Sequence, residues 1–327
     1  MKNHDEETFH LLNLLPKIEI HLHLLGCISD KTLKKLGIPE IGNNGFQGLT
    51  DFVKKYLDII KGIKEEEYIN YVFDDLEEYL ESNNIFYAEV FWAPSFFLKN
   101  NLDFFKIIQI LKKRSKKAKT HIKFLIDISR TFGVRNAESI AEKTMQIADD
   151  KVIGIGLGGD ELKTETSKFK NIFQDAKNKG LRVVAHAGEG KGQIYVRNVY
   201  DAIELLSAER IGHGIAIADD EDAIEFVKSH NIPLEICPSS NFKLGIIKNM
   251  ENHPVRFFYD KGLKFTLNSD DPTFYNTTLS KEFYLLYKYL NFSLDDIKNI
   301  AMNSAEQTFM DSALKKEYQS ILEKFYK

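Results

Sequence analysis

Cysteine is nearly absent: only Cys27 and Cys237 occur in 327 residues, too far apart for a disulfide framework or a Cys-x-x-Cys metal motif. A reducing, cytoplasmic setting is the expectation. Long apolar runs are missing as well. The richest stretches, such as 85–98, are short and interrupted, well under the ~18 residues that span a bilayer. A basic surplus is also lacking: 44 Lys and Arg stand against 48 Asp and Glu, a net charge of −4 that offers nucleic acid no footprint. Residues 1–9 are polar and carry Asp5, Glu6 and Glu7, without the charged and apolar regions of a secretory signal. With 7 prolines, 19 glycines and 43% hydrophobic residues, the composition is that of a soluble globular chain.

What is present is a regular alternation. Apolar, β-rich runs fall near 17–23, 85–93, 121–129, 152–157, 181–186, 210–213, 232–236 and 263–269, separated by segments with helical periodicity such as 199–206 and 222–228. Strands alternating with helices predict parallel βαβ units, and eight of them predict a (β/α)₈ TIM barrel within one domain spanning 1–327. The rhythm breaks at 29–84, where helical patterns at 49–60 and 68–80 predict a helical insertion after the first strand, part of a lid over the barrel mouth. A helical appendage with no role in the site is the alternative.

Barrel active sites lie at the C-terminal strand ends, and chemistry-bearing residues recur there. His21 and His23 share one face at the end of the first strand; His186 ends the fifth, His213 the sixth, and Asp270 and Asp271 follow the eighth. A single histidine at a strand end is more often packed than ligating, but the recurrence points to a metal. His21, His23, His186 and Asp270 are the assigned ligands, and three imidazoles with one carboxylate suit Zn²⁺. Zinc brings the pKa of a coordinated water from about 15.7 towards 7. No lysine ends the fourth strand, where Gly154 to Glu161 contains none, so one ion rather than two is expected. Glu189, three residues after His186, suits a proton shuttle, with a surface loop glutamate as the alternative. His213 suits orienting the attacking water or stabilising developing charge; the alternative is a capping or supporting role.

Other signals are weaker. Gly154-x-Gly156-x-x-Gly159 matches a dinucleotide fingerprint in form, yet the next residues, Asp160 to Thr166, read as a loop rather than a helix. The His-x-Glu, Pro-Cys-x-x-Cys deaminase architecture is excluded by the cysteine positions. A non-catalytic binding protein on the same fold, or a metal hydrolase of lactones, amides or phosphoesters, are the rival classes. Structural roles are expected for His253 and for Arg130, the latter holding strand-end carboxylates.

Taken in order, Pro16-Lys17-Ile18-Glu19-Ile20-His21-Leu22-His23, Gly158-Gly159-Asp160-Glu161, Ala185-His186-Ala187-Gly188-Glu189, Arg210-Ile211-Gly212-His213-Gly214, Glu235 to Asn241 and Asn268-Ser269-Asp270-Asp271-Pro272 closely resemble the adenosine deaminase family of metal hydrolases. The resemblance covers roughly residues 12–315. It implies zinc ligands His21, His23, His186 and Asp270, with Glu189 as proton shuttle at purine N1 and His213 orienting the water. It further implies Asp271 at N7, the Gly159 N–H at N3, and hydrolytic loss of ammonia from C6 of an adenine nucleoside.

One position departs from the family. Adenosine-specific members carry an aspartate for the ribose 5′-hydroxyl just before the glycine that follows His-x-His; here that position is Leu25, before Gly26. An unpaired, desolvated hydroxyl costs roughly 1–3 kcal/mol. An apolar or enlarged 5′ end, as in 5′-deoxyadenosine, 5′-methylthioadenosine or 6-amino-6-deoxyfutalosine, is one expectation. The other is that a different polar group or water serves the hydroxyl of adenosine itself. Free adenine is a further alternative. AMP is disfavoured, because no basic cluster stands beside Leu25. The expected partner is a small-molecule adenine nucleoside, with no nucleic acid or membrane, and the chain is expected as a monomer or homodimer.

Overall fold

The computed structural model describes residues 2–41 and 49–327. Eight strands follow one another: β1 (Lys17–His23), β2 (Ile85–Trp92), β3 (His121–Ser129), β4 (Val152–Gly158), β5 (Arg182–Ala187), β6 (Arg210–His213), β7 (Leu234–Ile236) and β8 (Phe265–Leu267). They lie in chain order and every adjacent pair is parallel. At the seam between β1 and β8 the His23 N–H donates to the Asp270 carbonyl at 2.9 Å, and the Asp270 N–H to the His21 carbonyl at 3.1 Å. One step below, a side chain takes over from the backbone: Asn268 Oδ1 accepts from the N–H groups of Ile20 and His21 at 2.9 and 3.1 Å. The sheet thereby closes into the (β/α)₈ barrel that the alternation predicts.

β1, β3 and β6 have the limits read from sequence; β2, β4, β5, β7 and β8 shift, each by its local hydrogen bonding. β8 stops at Leu267 rather than 269 because the Asn268 amide, not its backbone, faces β1. β7 starts at Leu234 rather than 232, since the Ile232 N–H is spent on the Val227 carbonyl at the end of the preceding helix and Pro233 has no N–H. The Leu181 N–H is likewise spent on Ala176, which delays β5 by one residue. β2 ends at Trp92, because Ala93 caps the helix Pro94–Lys99.

Period-2 alternation divides the strands between two apolar clusters. Val90, Trp92, Phe124, Ile126, Val183 and Ala185 join the large core shared with the helices, whereas Phe91, Leu125 and Val184 form a separate small cluster inside the barrel. Asp127 and His186 are the next inward positions on β3 and β5. Below them lies an ionic network: Arg210 Nε donates to Glu235 Oε1 at 2.6 Å, Arg210 Nη2 donates to Glu89, and Phe309 stacks under the guanidinium 3.8 Å from its ring centre.

Helices surround this layer. α1 (Lys2–Leu14) precedes β1, and Lys17 Nζ donates to its terminal carbonyls at Leu12 and Asn13 and to Leu15. In the segment expected as an insertion, 42–48 lies outside the described residues. The remainder carries α2 (Asp30–Lys35), α3 (Leu49–Gly62) and α4 (Ile69–Ser82). Ser29 caps α2 and its Oγ donates to Asp75 of α4 at 2.8 Å. α4 packs on β2 and on the helix Phe104–Ser115. Among the described residues no helix is long and apolar enough to cross a membrane.

Replacing Arg210 strands two buried carboxylates inside the barrel. Arg210→Met should lower the unfolding free energy by about 3–5 kcal/mol in urea titrations at neutral pH; a loss below about 1 kcal/mol would show that the network carries no structural weight.

Candidate active site

The strand ends bring the expected residues together. His23 Nε2 lies 3.3 Å from His186 Nε2 and 3.2 Å from Asp270 Oδ1, and His21 Nε2 lies 3.8 Å from the same oxygen. Donor atoms of His21, His23 and His186 all lie within 4.8 Å of one another; Asp270 groups with His21 and His213, and again with His23 and Asp271. Ligands held at 2.0–2.1 Å in a tetrahedron are about 3.3 Å apart, so the two shortest separations suit a common ion. The donor chemistry fits too. His21 Nδ1 is 2.6 Å from Glu235 Oε2, which leaves Nε2 as an unpaired buried atom with its lone pair facing the cluster. Burial opposes a charge on Glu235, but Arg210 and His21 hold its carboxyl below the ordinary range, so it accepts the His21 proton's hydrogen bond as an anion.

Charge around the cluster calls for a cation. Burial opposes protonation of His23, yet the Asp271, Asp270 and Asp127 carboxylates outweigh it and push the imidazole up to about 10. A metal ion held there would answer the same demand in place of that proton. Burial, reinforced by the neighbouring imidazoles, keeps His186 neutral, with its pKa well below the usual histidine value. Against burial, a hydrogen bond with His23 and the nearby imidazoles hold Asp270 well below the carboxylate range.

His213 is set by a chain of hydrogen bonds whose direction is fixed at one end. The Val255 N–H donates to His253 Nδ1 at 3.2 Å, so His253 carries its proton on Nε2 and donates to Asn241 Oδ1 at 3.1 Å. Asn241 Nδ2 then donates to His213 Nδ1 at 3.3 Å. His213 is therefore protonated on Nε2, 3.6 Å from Glu189 Oε1 and 4.0 Å from Asp270 Oδ2. Burial brings its pKa down to about 3, which makes it a neutral donor and not a base. Both His213 (φ 62°) and Asp270 (φ 64°) sit in the left-handed region, a strained backbone that turns their side chains into the site.

Glu189 stands at the cavity wall with a fifth of its side chain exposed. Burial, then the Asp270 and Glu161 carboxylates, pushes its carboxyl well above the usual range. Its loop is anchored by Glu161, which accepts from the Gly188 and Glu189 N–H groups at 3.0 and 2.8 Å and from Asn198 at 2.9 Å. Asp271 is buried with Oδ1 unpaired; burial pushes its carboxyl well up, with Asp270 adding to this against His23. Gly159 follows β4 at φ 83°, where a Cβ would fall 2.7 Å from Ser129 Oγ, so only glycine brings the chain this close.

These groups open on one cavity of about 780 Å³, mouth included. Phe52, Val53 and Tyr56 of α3, together with Ala93, Phe96, Leu244 and Tyr275, form its apolar wall; Asp127, Ser129, Thr131 and Asp160 form the polar one. Leu25 is 1% exposed, packed in the hydrophobic core and not among the lining residues, so the apolar wall comes from other side chains than the one singled out in the sequence. Arg130, expected to hold strand-end carboxylates, instead donates to Thr166 Oγ1 at 2.9 Å and to the His186 carbonyl at 3.1 Å.

Sequence reading assigned no role to Glu235, Glu161, Asn241 or Asp127. A signal existed for one of them: Glu235 is the single charge in the apolar run 232–236, a residue type that is buried only with a partner or a purpose.

Fold and cluster together define the class, a barrel hydrolase that works with a metal ion. The chain belongs to the adenosine deaminase family, whose model matches residues 16–326. The adenosine deaminase of Clostridium botulinum is 33% identical over 94% of this chain and 98% of that protein. The aminodeoxyfutalosine deaminase of Streptomyces avermitilis is 30% identical over 91% of this chain and 88% of that protein. In fold, the crystal structure of adenine deaminase from Arthrobacter aurescens superposes with a TM-score of 0.87 at 24% identity, covering 95% of this chain and 99% of that one.

If Glu235 orients His21 for a metal, Glu235→Ala should weaken zinc binding about 10- to 100-fold in chelator-competition titrations. Unchanged affinity would mean that His21 is not held for an ion.

Proposed function

We propose that the protein hydrolyses the 6-amino group of an adenine nucleoside, releasing ammonia and a 6-oxo purine, with one zinc ion held by His21, His23, His186 and Asp270. The observation that carries this reading is the closeness of those donor atoms: His23 Nε2 is 3.3 Å from His186 Nε2 and 3.2 Å from Asp270 Oδ1, His21 Nε2 is 3.8 Å from that oxygen, and His23, His186 and Asp270 line the same cavity as Glu189 and His213. When bound, the ion supplies Lewis acidity and a water acidic enough to ionise near neutral pH.

The chain's own groups do the rest. Glu189, with its carboxyl pushed up by burial, gives a proton to N1 and so makes C6 electrophilic. His213 donates from Nε2 to orient the attacking water. Asp271, also pushed up, donates O–H to N7, and the Gly159 N–H meets N3. Water adds at C6; of its two protons one restores Glu189 and the other goes to the amine nitrogen, so the C–N bond breaks with loss of neutral ammonia and the 6-oxo purine keeps the proton at N1. α3 acts as the wall that excludes bulk water, with Phe52, Val53 and Tyr56 over the cavity.

The lining residues include no Lys or Arg, which favours an uncharged sugar end over a phosphate. The apolar side chains of Phe52, Val53, Phe96 and Leu244 favour a second reading of the same reaction, a nucleoside with an enlarged apolar 5′ group.

Ammonia release with zinc-loaded protein should be seen on adenosine, 5′-deoxyadenosine, 5′-methylthioadenosine or 6-amino-6-deoxyfutalosine; turnover of free adenine alone would replace the nucleoside with the base. Glu189→Gln should retain the metal and lose about 10²- to 10⁴-fold in kcat, whereas His21→Ala should lose both metal and activity. Near-normal kcat in Glu189→Gln would remove the shuttle.

A further inference from the structure

Asp127 is a buried charge that neither the metal cluster nor the proposed proton transfers use. It sits on β3, 4% exposed, and its side chain lines the cavity. Oδ1 has no hydrogen-bond partner. Its nearest guanidinium, Arg130, is spent on Thr166 and the His186 carbonyl. Among the described residues Asp127 belongs to none of the groups that could hold a metal ion. An unpaired carboxylate buried this far is costly unless a ligand completes it.

The fold makes room for it. Asp127 pairs in register with Gly156 on β4, and a Cβ there would stand 2.7 Å from Oδ1, while one at Gly158 would stand 2.5 Å from Oδ2. Two glycines on the facing strand thus leave the carboxylate its space. Ser129 and Thr131 continue the same wall as far as Gly159. In a purine, N3 and N9 flank C4, so a base with N3 at Gly159 carries its sugar towards this polar end of β3.

We propose that Asp127 is a specificity-determining residue whose carboxylate accepts a hydrogen bond from a sugar hydroxyl of the nucleoside. This rests on the nucleoside reading above. It supplies, from β3, the hydroxyl acceptor that Leu25 cannot be.

The test compares kcat and KM on adenosine and its 2′-, 3′- and 5′-deoxy analogues for the zinc-loaded wild type, Asp127→Ala and the shape-preserving Asp127→Asn, with metal content measured in each. Asp127→Ala should lower kcat/KM on adenosine about 10- to 100-fold, mainly through KM, with wild-type metal content. Asp127→Asn should show the same pattern more weakly. For the one analogue that lacks the recognised hydroxyl, the penalty should fall below about threefold. An equal penalty on all four substrates, loss of metal in both variants, or no effect on adenosine would overturn the assignment. A wild type that turns over none of the four would overturn the nucleoside reading itself, and Asp127's role with it.

Discussion

The hydrogen bond from His21 to Glu235, with Arg210 on the carboxylate's other oxygen, is the constraint on which the site depends. It decides which imidazole nitrogen is free. Without an anion at Nδ1, His21 has no fixed tautomer and no lone pair committed to the cluster. Arg210, beside it in the barrel interior and shared with Glu89, joins His21 in holding that carboxyl below the ordinary range. Buried ion networks contribute little net stability over a well-packed apolar core; this one gives direction to a ligand. Even β6 conforms to it, since a Cβ at Gly212 would stand 2.7 Å from His21 Cε1.

Closing the barrel and aiming the ligands are one operation. Asp270 bonds through its backbone to His21 and His23 across the β1–β8 seam while its carboxylate faces their rings. Its left-handed backbone is affordable because the preceding residue is pinned: the Ser269 N–H donates to Glu19 at 2.7 Å, and the Tyr79 hydroxyl, from α4, lies within hydrogen-bond distance of Glu19 Oε2 and Ser269 Oγ, at 2.9 and 2.7 Å. Any loosening of the seam would move Asp270 and two histidines together.

Residues that face the cluster from strand ends were legible in the sequence because alternation and recurrence carry that information locally. His21 and His23 are two apart, and β1 has the limits its pattern predicts. What lay hidden depends on partners remote in the chain. Glu235 reaches His21 across 214 positions, and Asn268 replaces a backbone acceptor for Ile20 across 248. Neither pairing leaves a periodic trace. The segment between β1 and β2 is ambiguous for a related reason: α4 has the same helical period whether it is an added cover or the outer layer of the barrel, so the period alone does not say which.

The balance of charge explains why such a site suits a purine amine. Asp127, Asp270, Asp271 and Glu189 line one cavity whose lining contains no lysine or arginine. Burial pushes the carboxyls of Glu189 and Asp271 up, and a metal ion held by the histidine cluster would answer part of the remaining charge. A substrate that must be protonated at a ring nitrogen before it reacts gains from such surroundings, because they stabilise the cationic ring more than the neutral one. A phosphate would find no lysine or arginine among the lining residues to pair with. The cavity that offers raised carboxyls to a ring nitrogen thus offers no cation to a charged sugar end.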